Sequence, residues 1–222
     1  MFEWSRSKPT QLQIEIRDTL FGDIPFADWI RVPAETIASE PWASFGQVKQ
    51  LIDSADTRNA AAVLEKVLEM PQLESRHYLQ AYYFLRGLGV NAPPERANDV
   101  WCRGGGRDGK GLDLVAGYAD HHARYYNYSG AAIVWERANG TLDAAIHDLL
   151  KVGSVVAQTI GPWKEGRPPA PLKGYARINI LVPSGLHFGQ APLDALAKDR
   201  LGGPVMASAL RLMQELIKLN KK

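Results

Sequence analysis

The spacing of apolar residues changes near residue 110, and this change limits the folds open to the chain more than any other feature. Before it, apolar residues recur every three or four positions, as in Val48, Leu51 and Ile52, which is typical of amphipathic helices. After it, apolar and polar residues alternate along LDLVAGY and ARYY, which is typical of paired strands. The sequence therefore predicts helices first and an antiparallel sheet second.

Three short helices are predicted in the first half. The first begins near Ser44, and the second follows the turn-like SADTRN and is closed by Pro71. A third runs from about Glu74 to Leu88, where glycines and prolines end it. We expect these helices to pack together as a small bundle.

The second half alternates strands with two long helices. After three strands, a helix is predicted from about Thr141 to Thr159, followed by a strand at Tyr175 to Val182 and a short partner strand in GLHFGQ. A final helix carries an apolar stripe that ends at Ile217. The predicted fold class is α+β: a small N-terminal helical bundle, then an antiparallel sheet with its helices packed on one face.

The positions of prolines and glycines along the chain predict that it is divided into three parts. Residues 1–41 contain Pro25, Pro33 and Pro41, which exclude a long helix there, so this part is predicted to be an N-terminal arm. Residues 42–103 form the helical bundle and residues 104–222 form the α+β domain. The glycine-rich GGGRDGKG at their junction is expected to be a flexible connection.

Bulk composition places the chain among ordinary globular proteins. Of its 222 residues, 45% are hydrophobic and 23% are charged, and the formal net charge is +2. Cys102 is the single cysteine, so an intrachain disulfide and a multi-cysteine zinc site are excluded and a cytoplasmic location is expected. The longest uncharged run, residues 178–193, is broken by prolines and glycines, so we expect no membrane contact.

Asp120-His121-His122 matches a triplet that helps to bind metal in a family of phosphoesterases. Those enzymes need further aspartates, usually in an Asp-x-Asp pair, because two metal ions require several carboxylates. The upstream candidates here, Asp108 and Asp113, do not form that pair. We therefore predict that the triplet is the turn of a hairpin and that no metal is bound, since Asp favours tight turns and both residue types tolerate left-handed backbone.

Two phosphate-binding patterns overlap in GGGRDGKG. Both require an apolar strand before the loop and a helix after it, so that amides at the helix N-terminus face the phosphate. Here a strand is predicted to follow, and Gly111 stands where the Walker pattern needs Ser or Thr. No nucleotide or other cofactor is therefore predicted.

The sequence leaves two other functions open. A small hydrolase, either a metal-dependent phosphoesterase or an esterase, would use His122, Ser184 or His187. A nucleic-acid-binding protein would stack bases on aromatic strand residues, but the slight basic balance argues against that partner. The aromatic residues in question are Tyr125, Tyr126, Tyr128 and Trp135.

Two resemblances bear on function. The order of elements from Leu112 to Leu219 is similar to that of roadblock, longin and profilin-like domains, which implies a binding platform. The segments ARYYNYSGAAIVWE and VPSGLHFGQAPL resemble parts of bacterial proteins that carry no assigned activity, which implies a bacterial origin and nothing about chemistry.

Taken together, these features predict a non-enzymatic binding or regulatory module in the bacterial cytoplasm, with a protein partner or a second copy of the chain as its ligand. Long loops with prolines and exposed aromatics favour recognition. The predicted contact residues are therefore His121, His122, Trp163 and His187.

Overall fold

A computed structural model describes residue 22 and residues 39–90, 99–105, 112–136, 140–165 and 171–220. Its helices are, in chain order, α1 (Trp42–Asp53), α2 (Thr57–Glu69), α3 (Ser75–Gly87), α4 (Asp143–Ile160), α5 (Leu193–Lys198) and α6 (Gly202–Asn220). Its strands are β1 (Asp99–Gly105), β2 (Leu112–Tyr118), β3 (Ala123–Tyr126), β4 (Ala132–Trp135), β5 (Tyr175–Val182) and β6 (Gly185–Pro192).

Helices α1, α2 and α3 form a small unit with its own apolar core. Asp56 caps α2 by accepting a hydrogen bond from the backbone N–H of Asn59, at 3.2 Å. Phe45 and Phe84 meet edge to face, with ring centroids 5.9 Å apart. The buried apolar residues of this core are Phe45, Val48, Ala60, Leu64, Val67, Ala81, Tyr82, Phe84 and Leu85.

The six strands form one antiparallel sheet in the order β4-β3-β2-β1-β5-β6. Strands β2, β3 and β4 follow one another as a meander, and β5 and β6 form a hairpin. Between these two parts lies β1, which pairs with β2 on one side and with β5 on the other. The hairpin of β5 and β6 is therefore joined to the meander of β2, β3 and β4 through β1, which precedes both in the chain.

Helices α4, α5 and α6 cover one face of the sheet. They bury the alternate strand residues Val115, Ile178 and Ile180 beneath Leu149 and Leu212. Gly117 allows this close approach, because a Cβ added there would lie 3.3 Å from methyl carbons of both leucines. This layer is the largest apolar core of the described residues.

Helix α3 lies against the opposite face. Its Leu79 packs with Leu114, Ala116, Tyr118 and Leu181, all of which point away from α4 and α6. Burial of this small apolar group joins the helical unit to the sheet.

The predicted α+β fold class is confirmed, including the helices on one face of an antiparallel sheet. Strand β1 and the short helix α5 were not predicted, and the proposed boundary between residues 103 and 104 falls inside β1. Most of the predicted arm, and residues 106–111 of the glycine-rich connection, lie outside the described residues. The division into three parts stays a prediction.

The described part of the arm makes one close contact. Gly22 is buried against α3, and a Cβ there would lie 2.6 Å from the backbone nitrogen of Gln80. Only glycine fits at that approach.

None of the helices in the described ranges combines the length and the apolar composition needed to cross a membrane.

Gly117→Val should lower the free energy of unfolding by about 1 to 3 kcal/mol, because the added methyl groups must displace Leu149 and Leu212 in a filled core. Urea denaturation followed by circular dichroism measures the change. Gly189→Ala is the matched control, since a Cβ at Gly189 meets nothing within 4 Å. Equal losses in the two variants would contradict this account of the core.

Candidate functional site

Two turns project from the same end of the sheet. The register pairs Tyr118 with Asp99, Asp99 with Leu181, and Leu181 with Leu186. The β2–β3 turn and the β5–β6 turn therefore lie side by side, about 14 Å apart at the usual spacing between strands. All four predicted contact residues lie on or near these two turns.

Asp120-His121-His122 forms the β2–β3 turn, as predicted. His121 has φ of 65°, the left-handed conformation that closes the turn, and it is exposed. The backbone N–H of Tyr118 donates to the carbonyl of His122 at 3.0 Å. His121 Nδ1 also lies 3.2 Å from Asp143 Oδ1, at the first turn of α4.

Asp120 serves as a cap for a helix that is distant in sequence. Its Oδ2 accepts a 2.7 Å hydrogen bond from the backbone N–H of Ser75, and its own N–H donates to Ser75 Oγ at 3.0 Å. Its Oδ1 accepts from the backbone N–H of His122 at 3.0 Å, and His122 Nδ1 lies 3.5 Å away. The carboxylate therefore satisfies the N-terminus of α3 and its own turn.

The described residues around this triplet do not form a set of metal ligands. Within the described ranges, no three His, Cys, Asp or Glu side chains are placed to share an ion. The Asp120 carboxylate already accepts two backbone hydrogen bonds, from Ser75 and from His122, and the 3.5 Å contact with the His122 ring is longer than an ordinary hydrogen bond. Its geometry is that of a helix cap.

Charged residues surround this cap. Glu74 Oε2 lies 2.7 Å from Arg76 Nε and 3.9 Å from Arg124 Nη2, and Arg124 also reaches Glu136 at 3.3 Å. Burial disfavours the Glu74 carboxylate, but the charges of Arg76, His77 and Arg124 outweigh it and lower the pKa of Glu74 overall. Arg124 is itself buried, so this pairing links β3 to the start of α3.

His77 is a buried histidine behind the same cap. It is 7% exposed, and its ring meets the edge of Trp42 with centroids 5.3 Å apart. Neither ring nitrogen has a hydrogen-bond partner among the described residues. Burial lowers the pKa of His77 to about 4, and the Arg76 charge acts in the same direction.

Ser184 and His187 meet at the β5–β6 turn. Ser184 is exposed, His187 is 3% exposed, and the distance from Ser184 Oγ to His187 Nε2 is 3.1 Å. Arg86 of α3 donates to the carbonyl of Pro183 in the same turn. The C-terminal end of α3 is thereby joined to the β5–β6 turn, and its N-terminal end is joined to the β2–β3 turn.

This pair has one of the two contacts that a nucleophilic serine needs. A serine next to a neutral histidine is the first half of a catalytic triad, and burial, with a smaller effect of Arg86, lowers the pKa of His187. The backbone of Ala157 and Gly161 opposes this shift, yet His187 Nδ1 makes no hydrogen bond of ordinary geometry. The orienting carboxylate of a triad is missing from the described residues.

Trp163 lies beside β6 at the edge of the sheet. Its backbone N–H donates to the carbonyl of Leu186 at 2.6 Å, and its ring meets Phe188 edge to face at 4.9 Å. Arg177 lies over the other side of Phe188, with its guanidinium carbon 5.2 Å from the ring centre. The Trp163 side chain is 39% exposed.

The structure therefore places Trp163 and His187 around one strand, and His121 and His122 at the neighbouring turn. Ser75 and Arg86, which join α3 to the two turns, were not among the predicted contact residues, and neither were His77 and Arg124 near the first turn. Only Ser75 carried a local signal, since serine at a helix start is a common capping residue.

The aromatic residues considered for nucleic-acid stacking do not share a surface. Trp135 is buried, and Tyr125 packs against the α4 and α6 core, while Tyr126 lies on the α3 face. Of the four, Tyr128 is exposed, at 55%.

Comparison of the chain with protein-family models, with curated proteins and with solved structures finds no match. The topological resemblance to roadblock, longin and profilin-like domains accordingly stays a prediction.

The reciprocal bonds between Ser75 and Asp120 should act as one unit. Asp120→Ala should lower the free energy of unfolding by about 1 to 2 kcal/mol because it removes the carboxylate that caps α3, and Ser75→Ala should lower it by about 1 kcal/mol because it leaves the Asp120 N–H without its acceptor. In a double-mutant cycle from urea denaturation, the double variant should lose less than the two single losses added together. Additive losses would show that the two residues act separately.

Proposed function

We propose that this protein is a non-enzymatic binding module of the bacterial cytoplasm whose contact surface is the edge of strand β6. We define the β6 edge surface as β6 itself with Val155, Ile160 and Trp163. The observation that carries the proposal is a long, uncharged edge strand beside exposed apolar side chains.

The two edges of the sheet differ in length and chemistry. At one edge, β4 has 4 residues, and short edge strands offer little backbone for pairing. At the other edge, β6 has 8 residues and none of them is charged. Natural proteins protect exposed edges with charges, bulges, shortness or a covering segment, and in the described ranges the backbone bond to the outer side of β6 is the one from Trp163 to Leu186, so the rest of β6 has the character of a strand that pairs with a partner.

Backbone groups of β6 point outward. The Trp163 N–H reaches the Leu186 carbonyl from outside the sheet, so the backbone of Leu186 faces away from β5. In an antiparallel strand every second residue has the same orientation. Phe188 and Gln190 therefore also direct their N–H and C=O groups toward the edge, where an added strand would bond them.

Exposed apolar side chains lie on α4, a helix that contacts β6, and in the segment that follows it. Val155 and Ile160, near the end of α4, are 53% and 43% exposed, and Trp163 follows them in the chain. An exposed tryptophan beside an edge strand is typical of protein contact sites, because tryptophan is prominent among the residues that dominate binding.

The partner that fits this surface is a second copy of the chain. Two β6 strands related by a two-fold axis would pair antiparallel and join two sheets into one. Since β6 has no charge, no like-charge repulsion opposes that pairing. The two Trp163 side chains would flank the joint, and their burial would add to the backbone bonds.

Gly189→Lys tests this surface without filling occupied space. A Cβ added at Gly189 meets no described atom within 4 Å, so the lysine has room at its base and should add a charge to the edge without unfolding the protein. Sedimentation equilibrium across micromolar concentrations should show dimers for the native protein and for Gly189→Ala. Gly189→Lys should weaken association at least tenfold, because pairing would bring two ammonium groups together at the joint.

A native protein that is still monomeric at about 100 µM, a hundred times a micromolar assay concentration, would overturn this choice of partner. Association that Gly189→Lys leaves unchanged would move the contact away from β6.

A second candidate function is ester hydrolysis. It is favoured by the 3.1 Å distance between exposed Ser184 and buried His187, which places a hydroxyl against a nitrogen that can accept its proton. His187 Nδ1 has no hydrogen-bond partner of ordinary geometry among the described residues, which counts against efficient catalysis, because no carboxylate there orients the ring or stabilises its charged form.

A fluorophosphonate probe separates the two candidates, since it labels activated serines and not ordinary ones. The binding module predicts the same background labelling for native protein, Ser184→Ala and His187→Gln. Ser129→Ala is the control, because Ser129 is an exposed turn serine bonded to Asn127 Oδ1 at 2.7 Å. Labelling that is lost in both Ser184→Ala and His187→Gln but kept in Ser129→Ala would establish the hydrolase.

A further inference from the structure

We infer that two copies of this chain pair along β6 in a single register, in which the two-fold axis passes between the two Gln190 residues and Trp163 excludes the competing register. The inference rests on the proposed function, since it takes the second copy of the chain as the partner. It adds the register of the pairing and the residue that specifies it.

The turn between β5 and β6 determines which backbone groups of β6 are free to pair. Two residues form this turn, so Val182 and Gly185 on either side of it exchange hydrogen bonds. Hydrogen-bonded pairs alternate with non-hydrogen-bonded pairs along antiparallel strands, so the backbone groups of Leu186, Phe188 and Gln190 face the open edge. A second copy presents the same three residues, which can therefore pair only with one another.

The segment that follows α4 already occupies the first of these positions. Its Trp163 N–H donates to the Leu186 carbonyl at 2.6 Å, and its ring meets Phe188 edge to face. Gly161, with φ of 70°, lets the chain leave the helix and reach β6. In the described ranges, no backbone group from outside the sheet bonds to Phe188 or Gln190. Pairing with a second copy is therefore confined to Phe188 and the residues after it.

A register with the axis at Gly189 conflicts with this segment. In that register, Phe188 would exchange backbone bonds with Gln190 of the second copy, and the other Phe188 would do the same. Pro192 of the second copy would then lie opposite Leu186, in the space that the segment after α4 fills. This register forms the most backbone bonds but requires the segment to leave β6.

The register with the axis at Gln190 avoids the conflict. There the two Gln190 residues exchange backbone bonds, and the Phe188 N–H donates to the Pro192 carbonyl of the second copy. Proline has no N–H, so the Phe188 carbonyl gains no donor in return. A further shift would leave Phe188 outside the pairing altogether. The Gln190 register is thus preferred to the Gly189 register only because Trp163 closes the latter.

The side chains at the axis are compatible with close pairing. Gln190 Oε1 accepts a 2.9 Å hydrogen bond from Arg177 Nε, and because arginine carries only donors, the amide oxygen is the end that faces Arg177. The charge of Arg177 is held on β5, one strand away from the joint, and β6 carries no charge. Two neutral amide side chains therefore meet at the axis, with no like-charge repulsion between them.

Disulfide cross-linking tests the register. A disulfide joins Cα atoms about 4.4 to 6.8 Å apart, which includes directly paired residues at about 5.5 Å but not diagonal neighbours at about 7 to 8 Å. Gln190→Cys should cross-link to itself on mild oxidation, whereas Gly189→Cys alone and Ala191→Cys alone should give about tenfold less dimer on a non-reducing gel. A mixture of Gly189→Cys and Ala191→Cys should cross-link, because these positions lie opposite each other across the joint.

The native protein is the control for these cross-links. Its single cysteine, Cys102, lies on β1, which β5 separates from β6, so it should give no cross-linked dimer.

Trp163→Ala tests the residue that specifies the register. Loss of its ring contact with Phe188 should free the segment after α4, so that the register with more backbone bonds becomes available. Gly189→Cys combined with Trp163→Ala should therefore cross-link to itself about tenfold more than Gly189→Cys alone. Val155→Ala is the matched control, because it removes an exposed apolar side chain of α4 and leaves Trp163 in place.

The possible failures are distinguishable. Self-cross-linking of Gly189→Cys without the Trp163 change would overturn the register, as would the absence of any cross-link in a protein that sedimentation shows to be dimeric, and both leave the proposed function standing. A cross-linking pattern that Trp163→Ala does not alter would overturn the role of Trp163. A native protein that is monomeric in sedimentation would overturn the proposed function itself.

Discussion

The pairing of β1 with two neighbours is the interaction on which the rest of this structure depends. One side of β1 bonds to the β2–β4 meander and the other side bonds to β5 of the terminal hairpin. Without it the sheet would consist of a three-stranded meander and a separate two-stranded hairpin, and an isolated hairpin is only marginally stable. With it, α4 and α6 can cover both parts as one surface.

The same pairing decides where the functional chemistry lies. Because β1 fixes the register of β2 against β5, the Asp120 turn and the Ser184 turn emerge at one end of the sheet. Helix α3 is then long enough to contact both turns, and its charged start and its Arg86 end match them. The order of strands also leaves β6 at an edge, which is the basis of the proposed contact surface.

Sequence patterns predicted most of the elements and part of the site. Alternation in LDLVAGY and YARINILV gave their strands correctly, and turn preferences predicted the bend at His121. Strand β1 was missed because DVWCRGG ends in glycines and shows no alternation, so it appeared to belong to the flexible connection. The bond between Ser75 and Asp120 was missed because it joins residues 45 positions apart.

By itself, the sequence determined the periodicity of each segment, the ends of most helices and the tendency of Asp-His-His to turn, since these depend on neighbours within a few residues. The tertiary structure alone decided that β1 lies at the centre, that Asp120 caps a helix and that His77 is buried with no hydrogen-bond partner among the described residues. Those outcomes depend on contacts between distant parts of the chain, which form only when a shared apolar core repays the entropy of bringing them together.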